Sequence, residues 1–361
     1  SRNRSDAAMA ALCERFLAGA LANGIDAAIA REIWGYLVAF SGYGFCKSHA
    51  AAFALVAYQT AYLKAHYPAA FYCALLNHQP MGFYSPDVLI GDARRHGVPV
   101  LYPDVNHSQE ACTLEAQSAS PAVRLALRYV HGLGEARQTH IVACTRERPF
   151  SSLRDFCRRT RLPKAAVENL IRAGAMEALR RKTGQTRRDL LWELGALSYQ
   201  EDGLDIESAV TPVDLPDLGR VERTLWEYEL LGLTPGEHIM GVYRERLRAR
   251  GVSSSSELAD KRHGERVLAA GLVILRQRPP SAKGFVFLTL EDEEGLVNLV
   301  VRPKVYERHK EVLRNNPLLR AVVAFLRAED ETAAQALLEQ DPAGLILDLR
   351  GNPGGWLHEA V

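Results

Sequence analysis

Two glycines one residue apart, in Val130-His131-Gly132-Leu133-Gly134-Glu135-Ala136, could bring a phosphate against bare backbone. Glycine lets the chain turn tightly and approach a ligand, and a helix that starts just after it offers unpaired N–H groups to an anion. Arg128 and Arg137 flank the turn and could add charged contacts to the same phosphates. A Gly-x-Gly pair alone is equally the mark of a plain turn. A second candidate runs from Leu162-Pro163-Lys164 to Ala173-Gly174-Ala175. Pro163 suits a first helical position and Gly174 a left-handed helix end. Here the structural reading is the stronger one, with Lys164 as the side chain that could touch phosphate. Neither turn has the bidentate side chains that read base edges, so the binding expected is sequence-independent and salt-sensitive.

A third cluster, Gly44-Phe45-Cys46-Lys47-Ser48-His49-Ala50, gathers a cation, a hydroxyl and an imidazole at the start of an apolar helix. Ser48 is a candidate N-cap. Lys47 and His49 at the positive helix end would make a seat for a triphosphate, and an ordinary capped helix with an exposed lysine is the plainer alternative. The six cysteines (Cys13, Cys46, Cys73, Cys112, Cys144 and Cys157) include no CxxC pair and no Cys/His set with zinc spacing. They read as reduced structural thiols of a cytosolic protein. The one dense acidic run, Glu291-Asp292-Glu293-Glu294, falls between two strand-like segments and reads as a solvated hairpin loop.

The elements that must position these residues follow from periodicity. Helical spacing covers about 5–40, broken at Asn23-Gly24, and a long apolar helix is expected from about Ser48 to Leu63. Pro68 starts another helix, and a short one over about 86–96 precedes a strand candidate at Val98–Leu101. Two helix–turn–helix patterns lie within 120–195, an acidic, Pro-containing linker spans Glu201–Pro216, and a helix covers Val221–Leu231. The period then changes to that of strands over Val267–Leu275, Phe285–Leu290 and Leu296–Val301, followed by a charged helix at about Pro303–Asn316 and an apolar run at Leu318–Leu326. Three strands, a helix and a further strand is the order of an OB-type barrel; a meander with an inserted helix is the alternative.

Net charge is +1, yet Arg124–Arg188 carries 16 Lys and Arg against 5 Asp and Glu, while Gln200–Glu237 carries 10 acids against 2 bases. A basic block inside a neutral protein points to a local polyanion partner, with a solvated basic face as the plain alternative. The apolar stretches are far shorter than the ~20 residues a membrane span requires, and the start shows no signal-peptide pattern. A start in polar, helix-like sequence without Met suggests a fragment.

The run from Gly42 through Leu55, continued by Tyr58-Gln59-Thr60-Ala61-Tyr62-Leu63-Lys64-Ala65-His66-Tyr67-Pro68, resembles the fingers of bacterial C-family (polymerase III alpha-type) DNA polymerases. Leu75-Leu76-Asn77-His78-Gln79-Pro80-Met81-Gly82-Phe83-Tyr84-Ser85 and Asp92–Val98 are similar to the error-prone branch of that family. The resemblance covers residues 1 to about 330. It implies an α+β multidomain chain: polymerase fingers over 1–119, a helix-hairpin-helix DNA-binding domain over 120–199, an acidic linker and helix over 200–262, and an OB-type module over 263–330. It implies nucleotide-side contacts at Lys47, Ser48 and His49, and duplex contacts at Arg128, Gly132, Leu133, Gly134, Arg137 and Lys164. The partners implied are a DNA primer-template, a deoxynucleotide, a sliding clamp and other mutasome or replisome proteins in the cytoplasm.

Polymerase chemistry uses carboxylates that hold Mg²⁺. In this family they lie in a palm N-terminal to the fingers, and no Asp-x-Asp occurs here. The parent is therefore expected to use Mg²⁺ in template-directed, translesion nucleotidyl transfer. This chain alone is expected to hold no cofactor, to supply no catalytic residue and to be inactive. A clamp-binding peptide has one poor candidate, Gln200–Ile206. Residues from about 335 to 361, with Gly344-Leu345-Ile346-Leu347-Asp348-Leu349 and the glycines after it, instead resemble C-terminal processing peptidases, a serine protease family. A fusion or assembly chimera joined near Ala328–Ala334 would account for this. The OB module would then lack its last strand, and Gly344–Leu349 is a candidate for that place. A non-catalytic DNA-binding module and, from the tail only, a serine protease fragment are the alternative readings.

Overall fold

The computed structural model describes residues 6–43, 47–82, 84–117, 120–197, 213, 215–280, 282, 284–327 and 345–348. The chain divides into two compact units, Ser1–His66 and Tyr67–Val361. In the first, α1 (Asp6–Ala22) and α2 (Ala27–Tyr43) form a helical hairpin. Gly24 adopts φ +75°, Asp26 caps the next helix by accepting from the N–H of Ala28 at 2.7 Å, and the rings of Phe16 and Trp34 meet at 5.5 Å. The third helix, α3 (Lys47–His66), buries none of its residues.

The second unit opens with α4 (Pro68–Asn77) and α5 (Pro86–Arg95), each with proline in its first turn, as the sequence leads one to expect. A small sheet of β1 (Val100–Leu101), β2 (Thr113–Glu115) and β3 (Ala122–Arg124) follows, with β3 in the middle. A single 3-10 turn at Leu127–Tyr129 leads into five helices: α6 (Glu135–Glu147), α7 (Leu153–Thr160), α8 (Lys164–Arg172), α9 (Glu177–Thr183) and α10 (Arg187–Ala196). Next come α11 (Arg220–Leu231) and α12 (Ile239–Arg248). One hydrophobic core runs from Ala69 to Leu233 through Tyr72, Leu125, Leu127, Ile141, Phe156 and Leu170. It passes the expected limits at 119/120 and 199/200 without interruption, because α4, α11 and the hairpin helices bury their apolar faces together. The greater part of the acidic linker, and the whole clamp-peptide candidate, lie outside the described residues.

The remaining elements are β4 (Val252–Ser253), β5 (Arg266–Gln277), β6 (Val286–Glu291), β7 (Leu296–Val301), α13 (Pro303–Asn315), β8 (Leu318–Arg327) and β9 (Leu345–Asp348). They form one mixed sheet in the order β4-β5-β6-β7-β9-β8, and β8 also pairs with β5, so the sheet curls back on itself. Alternation places Val286, Leu288 and Leu290 of β6 and Val297, Leu299 and Val301 of β7 in its interior. The apolar run near 344–349 does form a strand, which pairs antiparallel with β7 and parallel with β8. The chain is thus an α+β protein, with thirteen α-helices among the described residues.

Candidate nucleic-acid interface

The first glycine turn is open to solvent. Gly132 takes φ +79°, a left-handed conformation that side chains seldom adopt, and it is exposed, as are Gly134, Glu135, Ala136 and Arg137. Gly134 is the N-cap of α6, and no side chain caps that end. The first N–H groups of a 13-residue helix therefore face outward. Arg137 donates to the carbonyl of Gly132 at 3.2 Å, which keeps its guanidinium beside the turn. Leu133, by contrast, is 5% exposed and plugs into the core, so the structure makes it the anchor of the turn.

The turn is held by its neighbours at His131. The backbone N–H of His131 donates to the carbonyl of Leu230 at 2.8 Å, and its Nδ1 lies 3.0 Å from the carbonyl of Glu229. Asn169 on α8 donates its Nδ2–H to the carbonyl of His131 at 3.1 Å. Both accepting carbonyls belong to the last turn of α11, which ends at Gly232. Nothing in the spacing of the residues foretold this attachment across about a hundred positions.

The second turn is closed. Gly174 also takes φ +79°, but a Cβ there would lie 2.3 Å from the Arg187 guanidinium and 3.1 Å from the Tyr102 ring. Arg187 is buried and pairs with the buried Glu227 at 3.4 Å; Glu227 also accepts from Tyr102 Oη at 2.8 Å and Thr234 Oγ1 at 2.6 Å. Burial, and then Glu227, raise the Tyr102 phenol above its ordinary range. Gly174 closes α8 as a helix end, in line with the structural reading. Lys164 is exposed at the start of α8, with Nζ 3.3 Å from the carbonyl of Gly195. Arg128 donates to the carbonyl of Leu76 at 2.6 Å, alongside Tyr129 Oη at 2.8 Å, and so closes the end of α4.

Four arginines of the basic block are neutralised by the acidic segment that follows it. Arg172 meets Glu229 at 2.7 Å, Arg188 meets Glu222 at 2.6 Å, Arg180 meets Asp217 at 3.6 Å, and Arg187 meets Glu227 as above. Within the block, Asp155 collects Arg148, Arg158 and Arg159; against the opposing effect of burial, the Ser151 N–H and then Arg148 and Arg159 hold its carboxyl below the ordinary range. Among the described residues, no carboxylate pairs with Arg128, Arg137, Arg146, Arg161, Lys164 or Lys182. The net positive charge that survives therefore includes the flank of the open turn.

The nucleotide-side candidates lie in the other unit. Lys47, Ser48 and His49 are exposed in the first turn of α3, and the His49 ring meets that of Phe53 at 4.5 Å. The helix begins at Lys47, so Ser48 sits inside the first turn and not before it as an N-cap. Gly44, Phe45 and Cys46 lie outside the described residues.

The acidic run at 291–294 corrects the sequence reading in its first half: Glu291 and Asp292 are buried, while Glu293 is half-buried and Glu294 exposed in the connection between β6 and β7. Glu291 and Asp292 are 0% and 1% exposed. Asp292 accepts from Arg244 at 3.0 Å, from the Ser255 N–H at 2.7 Å and from the Gly295 N–H at 2.9 Å. Arg95 on α5 donates to Glu291 at 2.8 Å. Burial pushes Glu291 up to about 7 although Arg95 opposes it, burial pushes Asp87 up to about 6, and burial lowers His238 to about 4. These carboxylates tie the curled sheet to α5 and α12, which long-range arginines make possible and local composition could not reveal. Asp292 and one oxygen of Glu291 are engaged by cations and N–H groups, and no three His, Cys, Asp or Glu among the described residues converge as metal ligands. They do not fit an Mg²⁺ site. Among the described residues, no helix is long and apolar enough to cross a membrane.

Comparison with known proteins agrees with this geometry. Residues 97–190 match the family model described as a helix-hairpin-helix motif, and residues 324–361 match the model of peptidase family S41. The chain is 42% identical over 311 residues to an error-prone DNA polymerase of Pseudomonas aeruginosa, covering 85% of this chain and 30% of the relative. It is 40% identical over 333 residues to one from Anaeromyxobacter sp. (strain K), covering 89% and 29%. Against one from Burkholderia pseudomallei it is 39% identical over 346 residues, covering 93% and 32%. The resemblance to error-prone DNA polymerases seen in the motifs thus extends over most of the chain, and the chain spans about 30% of the length of these relatives.

Proposed function

We propose that this chain is the fingers and duplex-gripping part of an error-prone, translesion DNA polymerase. The observation that carries the proposal is the open Gly132–Arg137 turn, with outward N–H groups and an unneutralised arginine, inside a segment that matches a helix-hairpin-helix motif. A turn of this kind accepts phosphate oxygens from any sequence. Gly132, Gly134 and Arg137 take the duplex backbone, with Lys164 at the edge of the footprint. Leu133 and Arg128 act from behind, one as the core anchor and one as the closure of α4. Lys47, Ser48 and His49 face the incoming deoxynucleotide. The curled sheet is the OB-type module, a reading supported by the order β5-β6-β7-β9-β8 with α13 between β7 and β8. The Mg²⁺ of the parent enzyme is held by carboxylates outside this chain, so the chain alone does not extend a primer. The sliding clamp and other replisome or mutasome proteins are the partners of the whole enzyme.

A salt titration of duplex binding tests the grip. The expected result is a linear fall of log affinity with log salt and little preference among sequences. Binding unaltered by salt would overturn the reading, and primer extension by the chain alone would overturn its inactivity.

A further inference from the structure

We infer that His131 is a positioning residue for the phosphate-binding turn, tethering it to the last turn of α11. The inference rests on reading the first glycine turn as the phosphate site, and it goes further in naming what shapes that site. His131 is exposed, yet three of its polar groups are engaged. Its N–H donates to Leu230, its Nδ1–H donates to Glu229, and its carbonyl accepts from Asn169. A ring whose Nδ1–H is committed to a backbone carbonyl keeps the neutral form protonated there, which leaves Nε2 without a proton to offer a phosphate. The side chain is thus suited to holding the turn and not to touching DNA.

The consequence concerns α11. Its acidic side chains neutralise the arginines beside it, while its C-terminal carbonyls hold the turn through His131. One helix therefore both trims the cationic surface and fixes an open turn of the hairpin region in which outward N–H groups and a surviving arginine coincide. Residue 131 precedes a left-handed glycine, where the backbone has most freedom to lose. A tether at that position removes freedom that would otherwise be lost on binding.

Duplex affinity as a function of salt, measured on the whole chain for three variants, tests this. His131→Ala should weaken binding about five-fold, the size of one lost hydrogen bond. The salt slope should stay unchanged, whereas loss of a direct phosphate contact lowers it by about 1. His131→Asn, whose amide nitrogen falls where Nδ1 lies, should restore most of the affinity. His131→Gln, whose amide falls where Nε2 lies, should not. Hydrogen exchange at Leu133–Arg137 should quicken in the Ala and Gln variants and return in the Asn variant. Unchanged affinity in His131→Ala, a reduced slope, or rescue by Gln in place of Asn would each overturn the inference. If Gly132→Val also leaves binding intact, the reading of the turn itself fails; if only the His131 variants are silent, that reading stands and the tether alone is wrong.

Discussion

The two glycine turns have the same backbone and opposite surroundings. Gly132 and Gly174 both sit at φ +79° at the boundary of a helix in one basic segment. Gly132 is exposed, with Arg137 beside it and the Asn169 amide 2.9 Å from where a Cβ would stand; over Gly174 lie the buried Arg187 and the Tyr102 ring, pinned by Glu227. A left-handed glycine therefore marks where the chain can turn, and what packs over it decides whether a ligand can use the turn. The first should be a binding residue whose loss costs affinity, the second a structural residue whose loss costs the fold.

The largest effect is expected at the buried turn. Gly174→Val adds left-handed strain, displaces Arg187 and leaves Glu227 buried without its cation. This should cost about 3–5 kcal/mol of stability, read by urea unfolding. A fully folded variant with altered DNA binding would reverse the assignment of the two turns.

Burial also governs Glu291 and Asp292 in the acidic connection, and pH sharpens that contrast. The folded value of Glu291, about 7, lies above the ordinary 4.5 of the unfolded chain. The folded state thus binds the extra proton, and stability should fall as pH rises from about 4.5 to about 7 and then level off. Asp87 adds a fall of the same sign between 3.8 and about 6. Glu291→Gln should flatten the part of the slope nearest neutrality, a change on the order of 2–3 kcal/mol in denaturant unfolding across the window. An unchanged slope would mean that Glu291 is ionised throughout.

Gly132→Val should cost about 1–2 kcal/mol of stability from left-handed strain, since the Asn169 amide that a Cβ would crowd is the end of a side chain that can swing aside, yet weaken duplex binding roughly ten-fold. Fluorescence anisotropy at low salt separates the two effects. If stability falls as far as in Gly174→Val, the two turns are not different in kind. The smallest effect is expected from Arg137→Ala: a few-fold loss of affinity, a salt slope reduced by about 1, and stability within about 0.5 kcal/mol of the parent. A full slope would remove Arg137 from the footprint.

Local chemistry was legible in the residues wherever a few neighbours decide it. Pro68 and Pro86 begin helices, Gly24 breaks one, and the alternation in Leu296–Val301 is a strand over the same six residues. The motif in Gly132–Gly134 was visible for the same reason. Ser48 shows the limit: a helix boundary depends on one turn more or less, and α3 starts at Lys47.

By itself, then, the sequence determined most of the long helices and the strands β5 to β8, though not α12, β2 or β4, together with the two turns, the resemblance to error-prone polymerases and the break in that resemblance near the tail. These depend on residue type and short spacing, which a linear text records in full. Tertiary structure alone decided that α11 neutralises Arg172, Arg187 and Arg188 and holds His131, that Arg187 closes one turn and leaves the other open, and that Glu291 and Asp292 are buried. Each of those outcomes rests on a charged or hydrogen-bonding group supplied from dozens of positions away or more. Coulomb attraction and desolvation act through space, so only the folded chain can say which of its many arginines remain without a carboxylate.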